Sequence, residues 1–302
     1  VGICGTSFMG WDIAGFAGEV PGSELYLRAA AFSVFCPIMQ YHSDTNNRRT
    51  PSRDRTPWNI QERSGNDGVI PAFRFLANLR MNLLPYILWQ ARASSRSGLP
   101  MMRAALLEYP QLSELREYPY QYLFGESLLV APVIEAGQRA WPVYLPVGQW
   151  RDFWNGEALE GGREIRLAVP RERIPVFIRR GSILPLNLGD DLAWGSPVGN
   201  RVDQVQRLAL LIFPGETASC EVFQGGGRPL ARAEVRQNGG EVNIDIHGLE
   251  RPADLLVLCA QPAEVRINNR VLAQSEWDWL PERGAVHLRV DAEDQIAVVL
   301  LS

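Results

Sequence analysis

Lysine is missing from this chain. All 30 positively charged side chains among its 302 residues are arginine, and 34 aspartates and glutamates give a net charge of −4. Since no basic block stands out, the charge pattern argues against nucleic acid or an anionic membrane as the partner. The missing lysine itself is what a nucleotide-composition bias in a genome produces, so we attach no function to it.

Histidines, cysteines and long apolar runs are scarce too. The three histidines and four cysteines show no Cys-x-x-Cys pair and no metal-ligand spacing, so we expect neither a zinc site nor a disulfide framework. Widely spaced cysteines of this kind are typical of small buried side chains in proteins of a reducing compartment. We therefore expect a cytoplasmic protein. The sequence has no apolar run of the roughly 18 residues that could span a bilayer as a helix.

The residues that are present suffice for a folded core. Hydrophobic residues make up 46% of the chain, as in globular proteins, and a chain of this length ordinarily holds two or three domains. Strand-like and helix-like segments alternate over residues 1–98, whereas short alternating segments broken by proline and glycine follow from residue 99. The pattern predicts an α/β part followed by an all-β part.

The α/β part is typical of two β/α units. Apolar residues predict a buried strand before Asp12, and residues 37–41 predict a second buried strand that ends at His42. Helices are expected from Ser23 to about residue 36 and over residues 69–96, the latter kinked at Pro85, and residues 43–54 are expected to form a long loop. The predicted buried faces are Leu25, Ala29, Phe32 and Cys36 in the first helix, and Leu76, Leu79, Leu83 and Ile87 in the second.

Two groups of strands are expected in the all-β part, separated by a loop rich in glycine, aspartate and proline after residue 187. The predicted strands are residues 127–133, 141–145, 150–154, 176–178, 208–213, 242–246, 255–258, 265–267 and 296–301. The Asn155-Gly156 and Gly161-Gly162 pairs predict hairpin turns. Two antiparallel β-sandwiches, over residues 99–187 and 188–302, account for this pattern.

One segment, residues 10–16, places the carboxylate of Asp12 between the aromatic rings of Trp11 and Phe16. The glycines that flank it indicate a backbone that turns sharply. Sugar sites are often built from such groups, since aromatic faces pack on C–H surfaces and carboxylate oxygens accept from hydroxyls. From this segment alone, an Asp12 that caps a turn beside core residues is an equal alternative.

Several motifs carry a resemblance to a known family. They are residues 11–16 (WDIAGF), 24–28 (ELYLR), His42, residues 55–58 (RTPW), 83–86 (LLPY), 122–133 (YLFGESLLVAPV), 144–146 (YLP) with Trp150, and 174–185 (IPVFIRRGSILP). In this order they resemble glycoside hydrolase family 31, which contains retaining α-glucosidases, α-xylosidases and related transglycosylases. The resemblance covers about residues 1–187.

The resemblance implies a fold of the class α/β plus all-β. Residues 1–98 would be the last two βα units of a (β/α)8 TIM barrel, followed by a proximal and a distal antiparallel β-sandwich. Barrel enzymes carry their site residues at the C-terminal ends of strands, where Asp12 and His42 are predicted to lie. The family carries its nucleophile and its acid/base aspartate on earlier barrel strands, so no catalytic residue is expected within this chain.

Three residues, Asp12, Phe16 and His42, match sugar-binding positions of the family, and Trp11 stands at a position that varies within the family. Asp12 would line the floor of the −1 sugar pocket, Phe16 would form an apolar wall, His42 would donate to a sugar hydroxyl, and Trp11 would help to select the substrate. The alternatives are backbone organisation for Asp12, core packing for Phe16 and a satisfied core group for His42. Gln40 departs from the pattern, since many members have arginine there.

Other polar residues are expected to be structural. Arg55 and Trp58 match the family's Arg-x-Pro-Trp motif, in which we expect an ion pair and a packed aromatic ring that hold the loop. The remaining groups are expected at the surface or on a solvated rim, namely His247, His287, Asp152, Glu157 and Glu160.

The resemblance implies part of a retaining α-glycosidase that hydrolyses O-glycosyl bonds of α-linked glucosides or related sugars. The implied partners are an α-linked oligosaccharide and the missing N-terminal barrel segment, without metal or organic cofactor. A non-catalytic carbohydrate-binding or structural β-sandwich module is the alternative, and a shortened enzyme with a catalytic Asp12 is a third hypothesis. Two βα units alone expose an apolar strand edge, so we expect the isolated chain to aggregate or to form homo-oligomers.

Overall fold

The structure is a computed structural model that describes residues 2–44 and 54–302. Most of the predicted loop over residues 43–54 lies outside the described residues. Among the helices of the described part, none is long and apolar enough to cross a membrane.

Helices dominate the described residues of the first part. They are α1 (Ser23–Val34), α2 (Pro57–Ser64), α3 (Val69–Asn82) and α4 (Leu84–Ser97). Helix α1 begins at the predicted residue, whereas the predicted single helix over residues 69–96 is two helices that break at Leu83, with Pro85 in the first turn of α4. The predicted buried face is confirmed, since Leu76, Leu79, Leu83 and Ile87 are all buried.

Two details of the helical prediction are wrong. Leu25 was expected to be buried but is 57% exposed, because α1 turns a neighbouring stripe, Tyr26, Ala30 and Val34, toward the core. Helix α2 was not predicted, although its start has ordinary signals. The Thr56 side chain accepts a hydrogen bond from the main chain of the first turn, and a proline follows it.

The two predicted strands of the first part are reduced to one pair of parallel segments. Asp12 and Gln40 form an isolated parallel bridge, with hydrogen bonds from Ile13 N to Gln40 O (3.0 Å) and from Ile38 N to Met9 O (3.2 Å). The expectation of regular, buried strands is wrong here, and Ile38 is 45% exposed. A strand becomes regular and buried when neighbouring strands pair with it on both sides and other elements cover it. Within the described residues these two segments pair with each other through this one bridge.

The proximal β part has eight strands, one short α-helix and a 3-10 turn at Ser113–Glu117. These are β1 (Met102–Ala104), α5 (Ala105–Glu108), β2 (Tyr122–Phe124), β3 (Leu128–Val130), β4 (Ala140–Leu145), β5 (Gln149–Asp152), β6 (Ala158–Glu160), β7 (Arg163–Ala168) and β8 (Val176–Arg179). Six strands form an antiparallel sheet in the order β1-β2-β3-β8-β5-β6, and β4 pairs with β7 in a separate two-stranded sheet. Trp150 and Phe177 lie in the apolar cluster packed between them.

The distal β part has two larger sheets. Its strands are β9 (Ser182–Asn187), β10 (Leu208–Phe213), β11 (Thr217–Phe223), β12 (Pro229–Asn238), β13 (Glu241–His247), β14 (Ala253–Leu258), β15 (Glu264–Ile267), β16 (Arg270–Val271), β17 (Trp277–Leu280), β18 (Ala285–Val290) and β19 (Gln295–Leu301). One sheet has the order β17-β18-β14-β10-β9, and the other has the order β11-β12-β13-β19-β15-β16.

Two features of the distal part differ from a purely antiparallel sandwich that begins at residue 188. Strands β10 and β14 pair in parallel, because the chain leaves the sheet through β11, β12 and β13 and returns in the same direction. Strand β9, which precedes the predicted boundary, pairs along its length with β10 and so belongs to the distal sheet. The boundaries at residues 98 and 187 stay predictions.

A buried asparagine connects the helices to the distal part. Asn82 ends α3 and is fully buried. Its Nδ2 donates to the main-chain carbonyls of Asn187 (2.9 Å) and Ser196 (3.1 Å), and its Oδ1 accepts from Gly195 N (2.8 Å). Because Asn82, Asn187 and Ser196 are buried, these hydrogen bonds tie the end of α3 to the distal part.

Candidate functional site

Asp12, Gln40 and His42 meet where the two parallel segments end. Gln40 Nε2 donates to Asp12 Oδ1 at 3.0 Å, and His42 Nδ1 lies 3.7 Å from the same oxygen. The second distance is too long for a good hydrogen bond, so His42 lies beside the Asp12 carboxylate as a close neighbour. The Asp12 side chain is 23% exposed and that of His42 is 65% exposed, so both groups are open to a ligand.

The backbone around Asp12 turns sharply, as the glycine pattern predicts. Gly15 N donates to Asp12 O at 2.7 Å, and Ala14 and Gly15 both have positive φ, 59° and 94°. A left-handed alanine carries a strain of about 1 kcal/mol, and such residues concentrate at functional sites. The turn hydrogen bond uses the main-chain carbonyl, which leaves the Asp12 carboxylate available for Gln40 and a ligand.

The two aromatic candidates lie in different places. Phe16 is 43% exposed, and its ring centroid is 5.0 Å from that of His42, so it forms one side of the Asp12–His42 group. The ring of Trp11 instead packs on Phe32 at 5.4 Å and lines an apolar groove of about 590 Å³. The structure therefore brings Asp12, Phe16 and His42 together and turns Trp11 elsewhere.

Arg55 holds the loop that follows Phe16. Its side chain is buried, with Nη1 donating to Phe16 O (3.0 Å) and Nη2 to Ala17 O (2.7 Å) and Glu19 O (3.1 Å). The predicted loop-holding role agrees with these contacts, although main-chain carbonyls take the place of the expected carboxylate in them. Trp58 was expected to be packed, and this is wrong, because it is 61% exposed at the start of α2.

Two other predictions for polar residues fail in the β parts. His287 was expected at the surface, but its Nε2 lies 2.9 Å from Oδ1 of the fully buried Asp254. Asp152 was expected on a solvated rim, yet it is buried and its Oδ1 accepts from Trp154 N (2.7 Å) and Asn155 N (3.1 Å). Burial raises the pKa of Asp152, and the hydrogen bonds from these two N–H groups partly offset that rise. Such contacts are those of a side chain that organises a turn.

The Asp12–His42 group has the chemistry of a site for a polyhydroxylated ligand. A carboxylate accepts from ligand hydroxyls, an imidazole and an amide donate or accept, and an aromatic face covers C–H surface. Within residues 2–44 and 54–302, no three His, Cys, Asp or Glu side chains are grouped so as to hold a metal ion.

Comparison with known proteins relates most of the chain to one family. Residues 1–90 match the model of the TIM-barrel domain of glycosyl hydrolases family 31, and residues 98–184 match that of the family's C-terminal domain. Over 272 residues the chain is 37% identical to an isomaltosyltransferase of Sporosarcina globispora, covering 89% of this chain and 25% of that protein. Over 176 residues it is 48% identical to a 1,3-alpha-isomaltosidase of Kribbella flavida, covering 58% of this chain and 24% of that protein.

A solved structure agrees over nearly the whole chain. The cycloalternan-forming enzyme from Listeria monocytogenes, in complex with a pentasaccharide substrate, superposes with a TM-score of 0.91 at 32% identity and covers 98% of this chain and 29% of that one. The matches define the class as the end of a TIM-barrel domain joined to C-terminal β domains. The two matched models describe one family and together take in more than half of the chain, so it belongs to glycoside hydrolase family 31. The chain spans about a quarter of the length of the curated relatives it matches.

Proposed function

We propose that the chain is the C-terminal part of a retaining α-glycosidase that acts on α-linked glucosides. The observation that carries the proposal is the meeting of Asp12, Gln40 and His42 beside the exposed ring of Phe16. Relatives named isomaltosyltransferase and 1,3-alpha-isomaltosidase support an α-glucan with isomaltosyl units as the substrate. Hydrolysis and transfer differ only in whether water or a sugar hydroxyl attacks the glycosyl-enzyme intermediate.

In this proposal residues 1–98 are the last two βα units of a (β/α)8 barrel. The parallel bridge between Asp12 and Gln40, with α1 in the connection, has the geometry of a βαβ crossover. Residues 99 onward would form the proximal and distal β-sandwiches. Because β9 pairs with β10, we propose to draw the boundary between them before Ser182.

Both catalytic carboxylates would lie upstream of this chain. Retaining hydrolysis uses two carboxyl groups about 5–5.5 Å apart. The contacts described for Asp12 are to an amide and an imidazole, which suits a group that binds hydroxyls. Asp12 would accept from a sugar hydroxyl, His42 would donate to one, and Phe16 would cover the apolar face of the ring.

The test uses variants of a longer protein, namely this chain expressed together with the coding region upstream of it. Asp12→Asn and His42→Ala are each expected to lower kcat/KM for nitrophenyl α-glucoside and for isomaltosyl oligosaccharides about 10- to 100-fold, the cost of losing one hydrogen bond to a charged group. The matched controls are Asp278→Asn and His247→Ala, both exposed in the distal part, which should leave kcat/KM unchanged. Site variants that fold normally and keep full activity would refute the sugar-binding role. Glucan binding by the β parts with no hydrolysis would favour the carbohydrate-binding module.

A further inference from the structure

Four consecutive main-chain carbonyls lie just before the segment that carries Gln40 and His42, and each accepts from a side chain. Arg80 Nη1 donates to Val34 O (2.8 Å) and to Cys36 O, and its Nη2 donates to Pro37 O (2.6 Å). Tyr122 Oη donates to the fourth carbonyl, that of Phe35, at 2.8 Å. We call this arrangement the carbonyl clamp.

The carbonyl clamp solves a problem that every helix end has. Val34 O ends α1 and lies at the negative end of the helix dipole, and the other three carbonyls of the clamp follow directly after the helix. A guanidinium is suited to this place because it offers several N–H groups and a positive charge. Burial lowers the pKa of Arg80 to about 10, which still leaves the group charged at neutral pH.

The two donors come from different parts of the fold. Arg80 lies on α3, in the helical part, and Tyr122 begins β2, in the sheet of the proximal part. Tyr122 is buried, and burial raises its pKa well above the usual value, so it stays a neutral donor. The end of α1 is therefore held from two sides by two separate elements.

The carbonyl clamp lies directly upstream of the site. From Pro37 the chain runs to the two parallel-segment hydrogen bonds, Ile38 N to Met9 O and Ile13 N to Gln40 O. The carbonyl clamp thus holds the start of a short segment whose far end presents Gln40 and His42 to Asp12. A shift at the start would disturb these two hydrogen bonds and with them the placement of Gln40 and His42, and a misplacement of about 1 Å can be costly to catalysis.

We propose that Arg80 and Tyr122 are positioning residues for Gln40 and His42, so that the proximal β-sheet helps to shape the sugar site. The inference rests on the proposed function. It also gives a reason for the barrel end and the proximal part to occur together, since Tyr122 acts across their contact.

The experiment uses the longer protein with its upstream region and measures kcat, KM and the melting temperature. Tyr122→Phe removes one hydrogen bond and should lower kcat/KM about fivefold. Arg80→Met removes three and should lower it about 50-fold, whereas Arg80→Lys keeps the charge and should recover part of the loss. The matched controls are Tyr120→Phe and Arg74→Met, since both residues are exposed. Arg74 lies on α3 with Arg80, and Tyr120 lies two residues before Tyr122. The controls should leave kcat/KM unchanged.

Double variants separate positioning from general stability. If Arg80 and Tyr122 act through Gln40 and His42, their effects on kcat/KM should almost vanish when each is combined with the double variant Gln40→Ala/His42→Ala. Additive losses would overturn the inference, because they would show that the two residues support the protein without acting through Gln40 and His42. A longer protein that does not cleave or transfer α-glycosides would remove the proposed function as well. An active wild type with additive losses would remove this inference alone.

Discussion

Replacing Asp254 by asparagine should be among the most destabilising single changes in the distal part. The carboxylate lies on β14 and is fully buried. Arg207 donates to both of its oxygens, from Nε at 2.6 Å and from Nη2 at 2.8 Å. His287 Nε2 lies 2.9 Å from Oδ1, and Arg289 Nη1 donates to Oδ2 at 3.3 Å. Burial by itself would raise the pKa of Asp254, but the hydrogen bonds from Arg207 and His287 outweigh it and hold this pKa well below its usual range.

The size of the effect follows from these partners. Removing one member of a buried ion pair costs about 3–5 kcal/mol, because the remaining charges stay buried without compensation. The Arg289 side chain is 51% exposed and regains water, so we take the lower end, about 3 kcal/mol. Asp278→Asn is the matched control. Asp278 also faces His287, at 3.5 Å, but it is 73% exposed, so its loss should cost less than about 1 kcal/mol.

Urea unfolding followed by tryptophan fluorescence measures both variants. The depressed pKa of Asp254 means that its stabilising contribution is complete above the unfolded-state pKa of about 3.9 and is lost as the pH falls below that value. The free-energy difference between the wild type and Asp254→Asn should therefore be constant from pH 7 to about pH 5 and shrink below about pH 4. Equal effects of Asp254→Asn and Asp278→Asn at pH 7 would refute this reasoning.

Two further changes test the packing around the site. In Gly10→Ala the new Cβ would lie 2.6 Å from Ile38 Cβ, so the parallel segments must separate and kcat/KM of the longer protein should fall about 10-fold. The control is Gly22→Ala, whose Cβ meets no atom within 4 Å. Equal activities of the two variants would contradict the argument. Asn82→Ala leaves buried main-chain groups without partners and should lower the free energy of unfolding by about 2–3 kcal/mol in a denaturant titration. A loss below about 0.5 kcal/mol would mean that water or a local shift satisfies those groups.

Local patterns in the sequence predict the strands with regular apolar spacing. Residues 208–213 were expected as a strand and coincide with β10, which is buried throughout, and residues 296–301 fall within β19, where burial alternates. Strand β12 was missed because it begins at a proline and presents arginines and a glutamate on its exposed face. Whether β10 pairs in parallel or antiparallel depends on where the chain returns from another sheet, and local spacing does not contain that information.

The candidate site was predictable in part, because local motifs in the sequence mark some of its residues. Asp12, Phe16 and His42 are recognisable because they lie in ordered motifs, and the structure brings them together. Arg80 was missed because it lies among apolar residues of α3 and its partners are main-chain carbonyls more than 40 positions away. His287 was misjudged because its partner Asp254 is 33 residues away on the neighbouring strand. Long-range polar contacts of this kind leave no local signal.

The most direct test of the proposed function is nitrophenol release from nitrophenyl α-glucoside by the 302-residue chain, measured beside the longer protein that includes the upstream region. We predict that only the longer protein is active and that Asp12→Asn lowers its kcat/KM about 10- to 100-fold, because in the proposed function the chain supplies sugar-binding groups and the catalytic carboxylates lie upstream. Turnover by the 302-residue chain alone, with a rate that depends on Asp12, would contradict this account.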